Sequence, residues 1–271
     1  MKVSIICACK NRSKPLYASI GSWLLKEEIC EVIIVDWSSD ESISDIINLD
    51  SRVKVIRVNG EKYFNMSEPL NLAASIATGD AILTMATDYF FNPYDEYNFF
   101  KAYPINDTSF VCGMFDYDRY PKSYEPIFFH LRGLLYVSRE NFLKVGGYRE
   151  GESKYYGNED DELIYRLEKS GLEKKLIDPS YTIFHIPHTD QKRIENFEGY
   201  HTDQDMNDAV YSELSKKYTG DQLKWQFNYV IAQRHIRKNF EKYQKTLNFK
   251  NTKWDINKIS DQYYDAKKKL R

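Results

Sequence analysis

The sequence has few cysteines and little excess charge, and both shortages exclude classes of protein. Its four cysteines, Cys7, Cys9, Cys30 and Cys112, lack the Cys-x-x-Cys spacing of many metal sites. Cys7 and Cys9 fall in an apolar run, so we expect buried thiols in a reducing compartment rather than a disulfide scaffold. The formal net charge of −2 provides no basic surface for nucleic acid, and no such partner is expected.

Long apolar runs are also missing. No stretch approaches the roughly 20 apolar residues that a membrane-spanning helix needs, and the chain opens in a strand-like run rather than in a signal peptide. We therefore expect a soluble, cytoplasmic protein without a membrane span. Apolar residues make up 42% of the 271 residues, which suffices for the core of one large domain, with or without a helical appendage.

The first hundred residues alternate between short apolar runs and helical patterns. Strands are predicted at 3–7, 31–35, 53–58 and 81–85, with one helix capped by Ser13 and another over 67–77. This alternation predicts right-handed crossovers and an α/β fold with a mainly parallel sheet. In such sheets, ligands bind outside the carboxyl ends of the strands.

The remainder of the chain is less regular. Its pattern predicts strands at 109–114, 127–137 and 181–186 and helices at 139–145 and 159–170. Beyond Gly199 the pattern is mostly helical. We therefore expect one domain over residues 1–198, in halves 1–100 and 101–198, followed by a helical extension over 199–271. That extension is also a candidate surface for a homodimer.

Three polar clusters directly follow predicted strands: Lys10–Arg12, Asp36–Asp40 and Thr87–Asp88. The carboxyl ends of parallel strands meet at one edge of the sheet, so we expect these clusters to gather there. Asp36 could accept hydrogen bonds from a base or a ribose, or only end its strand in a turn. Asp88 could bind Mg²⁺ or Mn²⁺ through an oxygen, or be an ordinary turn residue.

Four consecutive acidic residues, Glu159 to Glu162, begin a predicted helix. The helix dipole favours acidic residues at this end. Four exceed what capping needs, however, so a catalytic base beside an acceptor-binding carboxylate is the second interpretation. His185 and His188 follow near a strand that Pro187 interrupts. Residues three apart on a regular strand point to opposite faces, so one metal is not expected to bind both, and a structural histidine is the alternative.

Taken in order, these segments resemble the GT-A fold glycosyltransferases. The resemblance is to family-2-type enzymes, including bacterial chondroitin-polymerase-like domains, and the second half is also similar to the β-1,4-galactosyltransferase group. It extends from Val3 to Arg193 and includes Lys10-Asn11-Arg12, Val35 to Asp40, Asn65 to Asp80, Ala86-Thr87-Asp88, Arg132-Gly133, Gly146-Gly147-Tyr148, Gly157 to Leu163 with Arg166, and Ile186 to Asp190. Ala86 replaces the first Asp of the family's Asp-x-Asp, and Glu162 replaces the last Asp of its acidic motif.

The resemblance implies an inverting hexosyltransferase that moves a sugar from a UDP-sugar to a hydroxyl of a glycan or another acceptor, with Mn²⁺ or Mg²⁺ as cofactor. By position in the motifs, Asp160 is the expected general base, and Asp88 and His188 are the expected metal ligands, with His188 favoured over His185. The expected substrate contacts are Asn11, Arg12, Asp36, Ser38, Asn71 and Thr87 on the donor side and Arg132, Gly133, Glu159 and Asp161 on the acceptor side.

Two other functions remain open for the same fold. A nucleotidyltransferase would need a Gly-rich, basic loop after the first strand, and the segment Ala8 to Arg12 contains no glycine. A sugar-nucleotide-binding or assembly subunit without activity is supported by Ala86. It is opposed by the retention of Asp88, Asp160 and His188.

Overall fold

A computed structural model describes residues 1–91, 98–113, 131–150, 159–177, 183–186, 195–197, 215–216 and 219. Its strands are β1 Val3–Cys9, β2 Ile29–Trp37, β3 Val53–Val58, β4 Ala81–Thr84, β5 Tyr89–Phe91, β6 Ser109–Cys112, β7 Leu135–Ser138, β8 Glu173–Leu176 and β9 Ile183–His185. Its helices are α1 Ser13–Leu24, α2 Ser67–Ile76, α3 Phe99–Ala102, α4 Arg139–Lys144 and α5 Glu159–Lys169, with a 3₁₀ helix at Ser44–Leu49.

Seven of these strands form one mixed sheet in the order β3-β2-β1-β4-β7-β6-β8. Every strand in it runs parallel to its neighbours except β7, which is antiparallel to both β4 and β6. The predicted α/β fold with a mainly parallel sheet is therefore confirmed. The two remaining strands, β5 and β9, form a separate antiparallel pair at the carboxyl end of β4.

Helices cover both faces of the sheet, and the central strands are apolar throughout for that reason. In β1 and β2 almost every residue is buried, which is typical of strands enclosed on both sides. One core cluster packs α1 against the sheet, and the other packs α2, α4 and α5 against the opposite face. Because both faces of the sheet are packed with apolar side chains, polar side chains are placed at its edges.

The structure corrects three local predictions. Ser13 begins α1 instead of capping it, and Arg12 occupies the cap position without a side-chain hydrogen bond to the helix. The strand predicted over 127–137 is described only as β7, which starts at Leu135. The sequence Glu173-Lys174-Lys175-Leu176 was not predicted as a strand, yet it forms β8 at the sheet edge, where charged side chains are tolerated and discourage further pairing.

Most of the predicted helical extension lies outside the described residues, as does any dimer surface on it, so both stay predictions. In the described part of the chain, no helix combines the length and the apolar character needed to cross a membrane.

A buried carboxylate joins the strands at the amino-terminal edge of the sheet. Glu31 on β2 is 3% exposed and accepts hydrogen bonds of 2.6 Å each from the Ser4 hydroxyl, the Thr78 amide and the Lys54 ammonium. Burial alone would raise the pKa of Glu31, but these donors outweigh it and lower the pKa to about 2. The residue therefore favours the folded state at neutral pH.

We expect Glu31→Gln to lower the free energy of unfolding at pH 7 by about 2 kcal/mol, because the ion pair and the charge-assisted hydrogen bonds are lost. In the unfolded chain the carboxyl has its ordinary pKa near 4.5, so its contribution is complete above that pH and disappears as the pH falls toward 2. Urea unfolding at several pH values would measure both effects. The exposed Glu27→Gln is the matched control, and equal acid sensitivity of Glu31→Gln and wild type would contradict the assignment.

Candidate active site

A buried lysine joins the loops that follow the neighbouring strands β1, β2 and β3. Lys10 is 6% exposed and comes directly after β1. Its ammonium donates hydrogen bonds to the carbonyl oxygens of Trp37 at 3.1 Å, Ser38 at 2.8 Å and Glu61 at 2.9 Å. Three acceptors match the three donors of an ammonium group, so the buried charge is fully hydrogen-bonded. The expected gathering of polar clusters at this edge is confirmed.

Two residues with positive φ shape the same edge, Asn11 at 55° and Ser38 at 56°. The Asn11 side-chain oxygen accepts from the Asp40 amide at 2.8 Å, and the Asn11 amide donates to the Ser39 hydroxyl at 2.9 Å. Asparagine adopts this backbone region readily, whereas serine does so at a cost. Residues held in such conformations cluster at ligand sites, which agrees with the predicted roles of Asn11 and Ser38.

Asp36 also lies at this edge, but beneath the surface. Its side chain is fully buried, with Oδ2 paired to Arg57 at 2.5 Å and Oδ1 accepting from the Ser39 amide at 3.0 Å. Arg57 also donates to the Ser39 carbonyl at 2.7 Å. Both carboxylate oxygens therefore hold the loop in shape. The nucleoside contact expected of Asp36 stays a prediction.

Asp88 lies between β4 and β5 and is 5% exposed. Its Oδ2 pairs with the Arg12 guanidinium and lies 3.5 Å from His185 Nε2. Its carbonyl oxygen accepts from the Ile186 amide at 2.8 Å. The pairing of β5 with β9 places Tyr89 opposite His185. A strand pair formed across a long sequence separation thus brings the histidine to the carboxylate.

These side chains fit a divalent cation. Two ligands that each lie about 2.1 Å from one ion are about 3.0–3.5 Å apart, and Asp88 Oδ2 and His185 Nε2 are 3.5 Å apart. A carboxylate oxygen and an imidazole nitrogen are both suitable ligands for Mn²⁺. Within the described ranges, no group of three or more His, Cys, Asp or Glu side chains forms a metal cluster. The predicted ligand His188 lies outside those ranges.

Asp160, in the first turn of α5, faces the chain segment that leads into β7. A Cβ placed on Gly133 would lie 3.7 Å from Asp160 Oδ2 and 3.7 Å from the Tyr89 hydroxyl. Tyr89 is the residue after Asp88. The carboxylate expected to be the base therefore lies near the side chain of the residue that follows Asp88.

The surroundings of Asp160 disfavour its ionised form. Burial of its carboxyl group raises the pKa of Asp160 well above the ordinary value, and the carboxylates of Glu159 and Asp161 raise it further. Arg132 and the Tyr148 hydroxyl act in the opposite direction. A carboxyl group with a raised pKa is a stronger base than an ordinary aspartate, and such groups are concentrated at functional sites.

The next two carboxylates of the acidic segment are held by arginines. Arg132 donates to both oxygens of Asp161, at 2.9 and 3.2 Å. Glu162 accepts from Arg166 at 2.8 Å and pairs with Arg149 at 3.0 Å. Glutamate is long enough to reach an arginine one turn further along α5, which accounts physically for Glu162 at this position. Helix capping alone would not require these separate partners.

Asn71 on α2 contacts the turn that follows α4. Its Nδ2 donates to the Tyr148 carbonyl at 2.7 Å, and its Oδ1 accepts from the Tyr148 amide at 2.8 Å. A Cβ on Gly147 would come within 2.4 Å of that oxygen, and the φ of Gly147 is 63°, so glycine is required there. The amide of Asn71 thus positions Tyr148, and its substrate contact stays a prediction.

The structure brings His185 and Tyr89 into the site, which the sequence did not indicate. The predicted roles of Thr87 and His188 stay predictions. Thr87 is buried at 4% exposure beside Asp88 in the chain. Gly157 and His188 lie outside the described residues. The family resemblance favoured His188 over His185, and no role was predicted for Tyr89. The pairing of β5 with β9 could not be read from any local sequence pattern.

Comparison with known proteins decides the family. The model of "Glycosyl transferase family 2" matches residues 4–147, which is more than half of the chain. The chain belongs to glycosyl transferase family 2. A second model, described as the N-terminal domain of galactosyltransferase, matches residues 112–190 of this glycosyltransferase, the part that contains Asp160. No curated protein sequence matches the chain.

Solved structures show the same fold. S. aureus TarS, residues 1–349, in complex with UDP-GlcNAc is 15% identical, with a TM-score of 0.55 over 93% of this chain and 74% of that one. The mannosyltransferase PcManGT from Pyrobaculum calidifontis, in complex with GDP-Man and Mn²⁺, is 12% identical, with a TM-score of 0.58 over 98% and 80% of the two chains. The expected GT-A fold of this family-2 glycosyltransferase is therefore confirmed.

Proposed function

We propose that this glycosyltransferase moves a hexose from a UDP-sugar to a hydroxyl group of a glycan or another acceptor, with inversion at the anomeric carbon. One observation carries the proposal above the others. The Asp160 carboxylate lies beside Gly133 and the Tyr89 hydroxyl, and Tyr89 directly follows Asp88 at the same end of the sheet. The proposal assigns the base to Asp160 and cation binding to Asp88, the pair of roles that a direct displacement requires.

Asp160 acts as the general base in this proposal. Its raised pKa makes the carboxylate a better proton acceptor than an ordinary aspartate. The acceptor hydroxyl becomes acidic as its oxygen bonds to C1, so proton transfer to Asp160 accompanies attack on the face opposite the leaving nucleotide. Glu159 and Asp161, which flank Asp160, together with Arg132 and Gly133, are the proposed contacts for the acceptor.

Asp88 and His185 would hold the divalent ion in this proposal, and His188 would join them only if Pro187 takes it off the strand into a loop. Bound Mn²⁺ or Mg²⁺ would offset the negative charge of the leaving nucleotide diphosphate. Arg12 pairs with Asp88 in this structure, and its guanidinium would bind the diphosphate of a donor whose metal was held by Asp88. Asn11, Ser38 and Thr87 are the proposed contacts for the remainder of the donor, with Asp36 and Asn71 supporting them. The four free cysteines agree with a cytoplasmic site of action.

A second candidate function is a sugar-nucleotide-binding subunit without turnover. Two observations favour it. Ala86 removes one carboxylate from the metal motif, and Arg12 already neutralises Asp88 through an ion pair. A site balanced in this way needs no metal to be electrostatically satisfied.

Release of nucleotide separates the two candidates. The full chain is incubated with Mn²⁺, a panel of UDP-sugars, GDP-mannose for comparison, and arrays of hydroxyl acceptors, and UDP or GDP and the transfer products are identified by mass spectrometry. We expect UDP release that depends on both the metal and an acceptor. Stabilisation by UDP and Mn²⁺ without turnover of any sugar nucleotide would favour the binding subunit.

A further inference from the structure

Tyr148 carries a buried hydroxyl group that the fold itself does not use. The residue is 2% exposed, and its ring packs edge-on against Phe142 with 5.8 Å between centroids. In the described part of the chain its hydroxyl has no hydrogen-bond partner. Buried polar atoms are nearly always hydrogen-bonded, so an exception at this position calls for an explanation.

The backbone of Tyr148 is held firmly, which fixes where the hydroxyl can lie. Asn71 binds both the amide and the carbonyl of Tyr148. Only glycine fits at position 147, because a Cβ there would clash with Asn71. The ring is enclosed in the same core cluster as Phe142 and Leu163 of α5. Four polar groups act on the hydroxyl, and Asp160 has the largest effect, ahead of Thr84, Glu159 and Tyr89.

Thr84 is a weaker acceptor for this hydroxyl than Asp160. Its single proton is already donated to the Gly133 carbonyl at 2.7 Å, and its oxygen already accepts from the Leu135 amide at 2.7 Å. An ionised carboxylate is a stronger acceptor than a hydroxyl that is already engaged twice. The Asp160 carboxylate is therefore the best acceptor for a hydrogen bond from the Tyr148 hydroxyl.

We propose that Tyr148 is a positioning residue for the base: its hydroxyl donates a hydrogen bond to the ionised Asp160 carboxylate and holds it toward the acceptor. The inference rests on the proposed role of Asp160 and adds a residue to it. The hydrogen bond forms when Asp160 loses its proton and favours that form, so it keeps the base ready to accept the proton of the acceptor hydroxyl.

The other charged groups around Asp160 show why such a donor is needed. Glu159 and Asp161 flank it and oppose its ionisation. Arg132 favours ionisation, but it already forms two hydrogen bonds to the Asp161 carboxylate. Tyr148 supplies a neutral donor to a half-buried carboxylate that lies between two others in the chain, and it adds no charge to the site.

The test is Tyr148→Phe, which removes the hydroxyl and keeps the ring against Phe142. The pKa of Asp160 is measured directly by NMR with ¹³C-labelled aspartate, the signal being assigned through its loss in Asp160→Asn. We expect Tyr148→Phe to raise that pKa by about one unit. The acidic limb of the kcat/KM profile should move up by the same amount, with about a tenfold loss of activity below the wild-type limb and a much smaller loss at high pH.

Tyr136→Phe is the matched control. Tyr136 is also fully buried with no partner for its hydroxyl among the described residues, but its ring packs against Phe99 and Phe100 in the other core cluster. It should leave the pKa and the pH profile unchanged. An unchanged pKa of Asp160 in Tyr148→Phe would overturn the inference. A raised pKa in an enzyme without turnover would instead uphold the hydrogen bond and reject the proposed function.

Discussion

Asp160→Asn should lower kcat by about 10²–10⁴-fold, the range that loss of a general base typically produces. The amide keeps the size and the helix position of Asp160 but cannot take up the acceptor proton. UDP release under saturating donor and acceptor measures the loss. KM for the donor should change little, because the proposal assigns Asp160, beside Gly133, to the acceptor side of the site. The remaining activity should no longer show the acidic limb.

Stability provides the control for this variant. Burial and two neighbouring carboxylates raise the pKa of Asp160, so its ionised form costs folding free energy at neutral pH. The neutral asparagine removes that cost, and Tm should stay constant or rise, as is common when a functional group is removed. Glu159→Gln takes one charge from the same helical turn and should retain much more activity. Comparable losses in both variants would indicate a general charge effect and reject Asp160 as the base.

Asp88→Ala should abolish the stabilisation that UDP and Mn²⁺ together give the wild type. A ligand present at about 100 times its Kd stabilises a protein by about 2.7 kcal/mol, a shift of several degrees in Tm. Removing Asp88 takes away a proposed metal ligand and frees Arg12, which now pairs with it. Thermal unfolding with UDP, with Mn²⁺ and with both measures the coupling. UDP alone should retain a small effect, because Arg12 can still bind its phosphates.

Two variants complete this experiment. His185→Ala should weaken the metal-dependent shift as well, since its imidazole lies 3.5 Å from the Asp88 carboxylate. Asp107→Ala, an exposed carboxylate before β6, should leave the shift unchanged. If Asp88→Ala responds to UDP and Mn²⁺ as the wild type does, Asp88 is not a metal ligand.

The parts of the fold that local patterns encode could be predicted from the sequence. The strand at Val53–Val58 has the predicted bounds, and α5 begins at Glu159 as expected. In these segments apolar spacing and terminal signals both come from neighbouring residues. The pairing of β5 with β9 could not be predicted, because it joins residues about a hundred positions apart. It places His185 beside Asp88, and no local pattern in the sequence indicates that contact.

The sequence also could not separate side chains that contact ligands from those that shape the loops around them. Asp36 and Asn71 were expected to contact substrate, and both are polar residues at the expected positions. In the structure, Asp36 binds Arg57 and the Ser39 amide, while Asn71 binds the backbone of Tyr148. A carboxylate or an amide satisfies a backbone donor with the same chemistry that it would offer to a ribose. Burial separates these roles, and burial depends on the whole fold.

The reversed direction of β7 has a consequence for how new acceptor preferences can arise. Because β6 runs with β4 and β7 runs against it, the chain leaves β6 after Cys112 and re-enters the sheet at Leu135 on one edge, next to Gly133 and Asp160. We expect the middle of this connection to accept changes in length or sequence while β6 and β7 keep their register. We expect a transplanted connection to alter the acceptor while the sugar nucleotide stays the same.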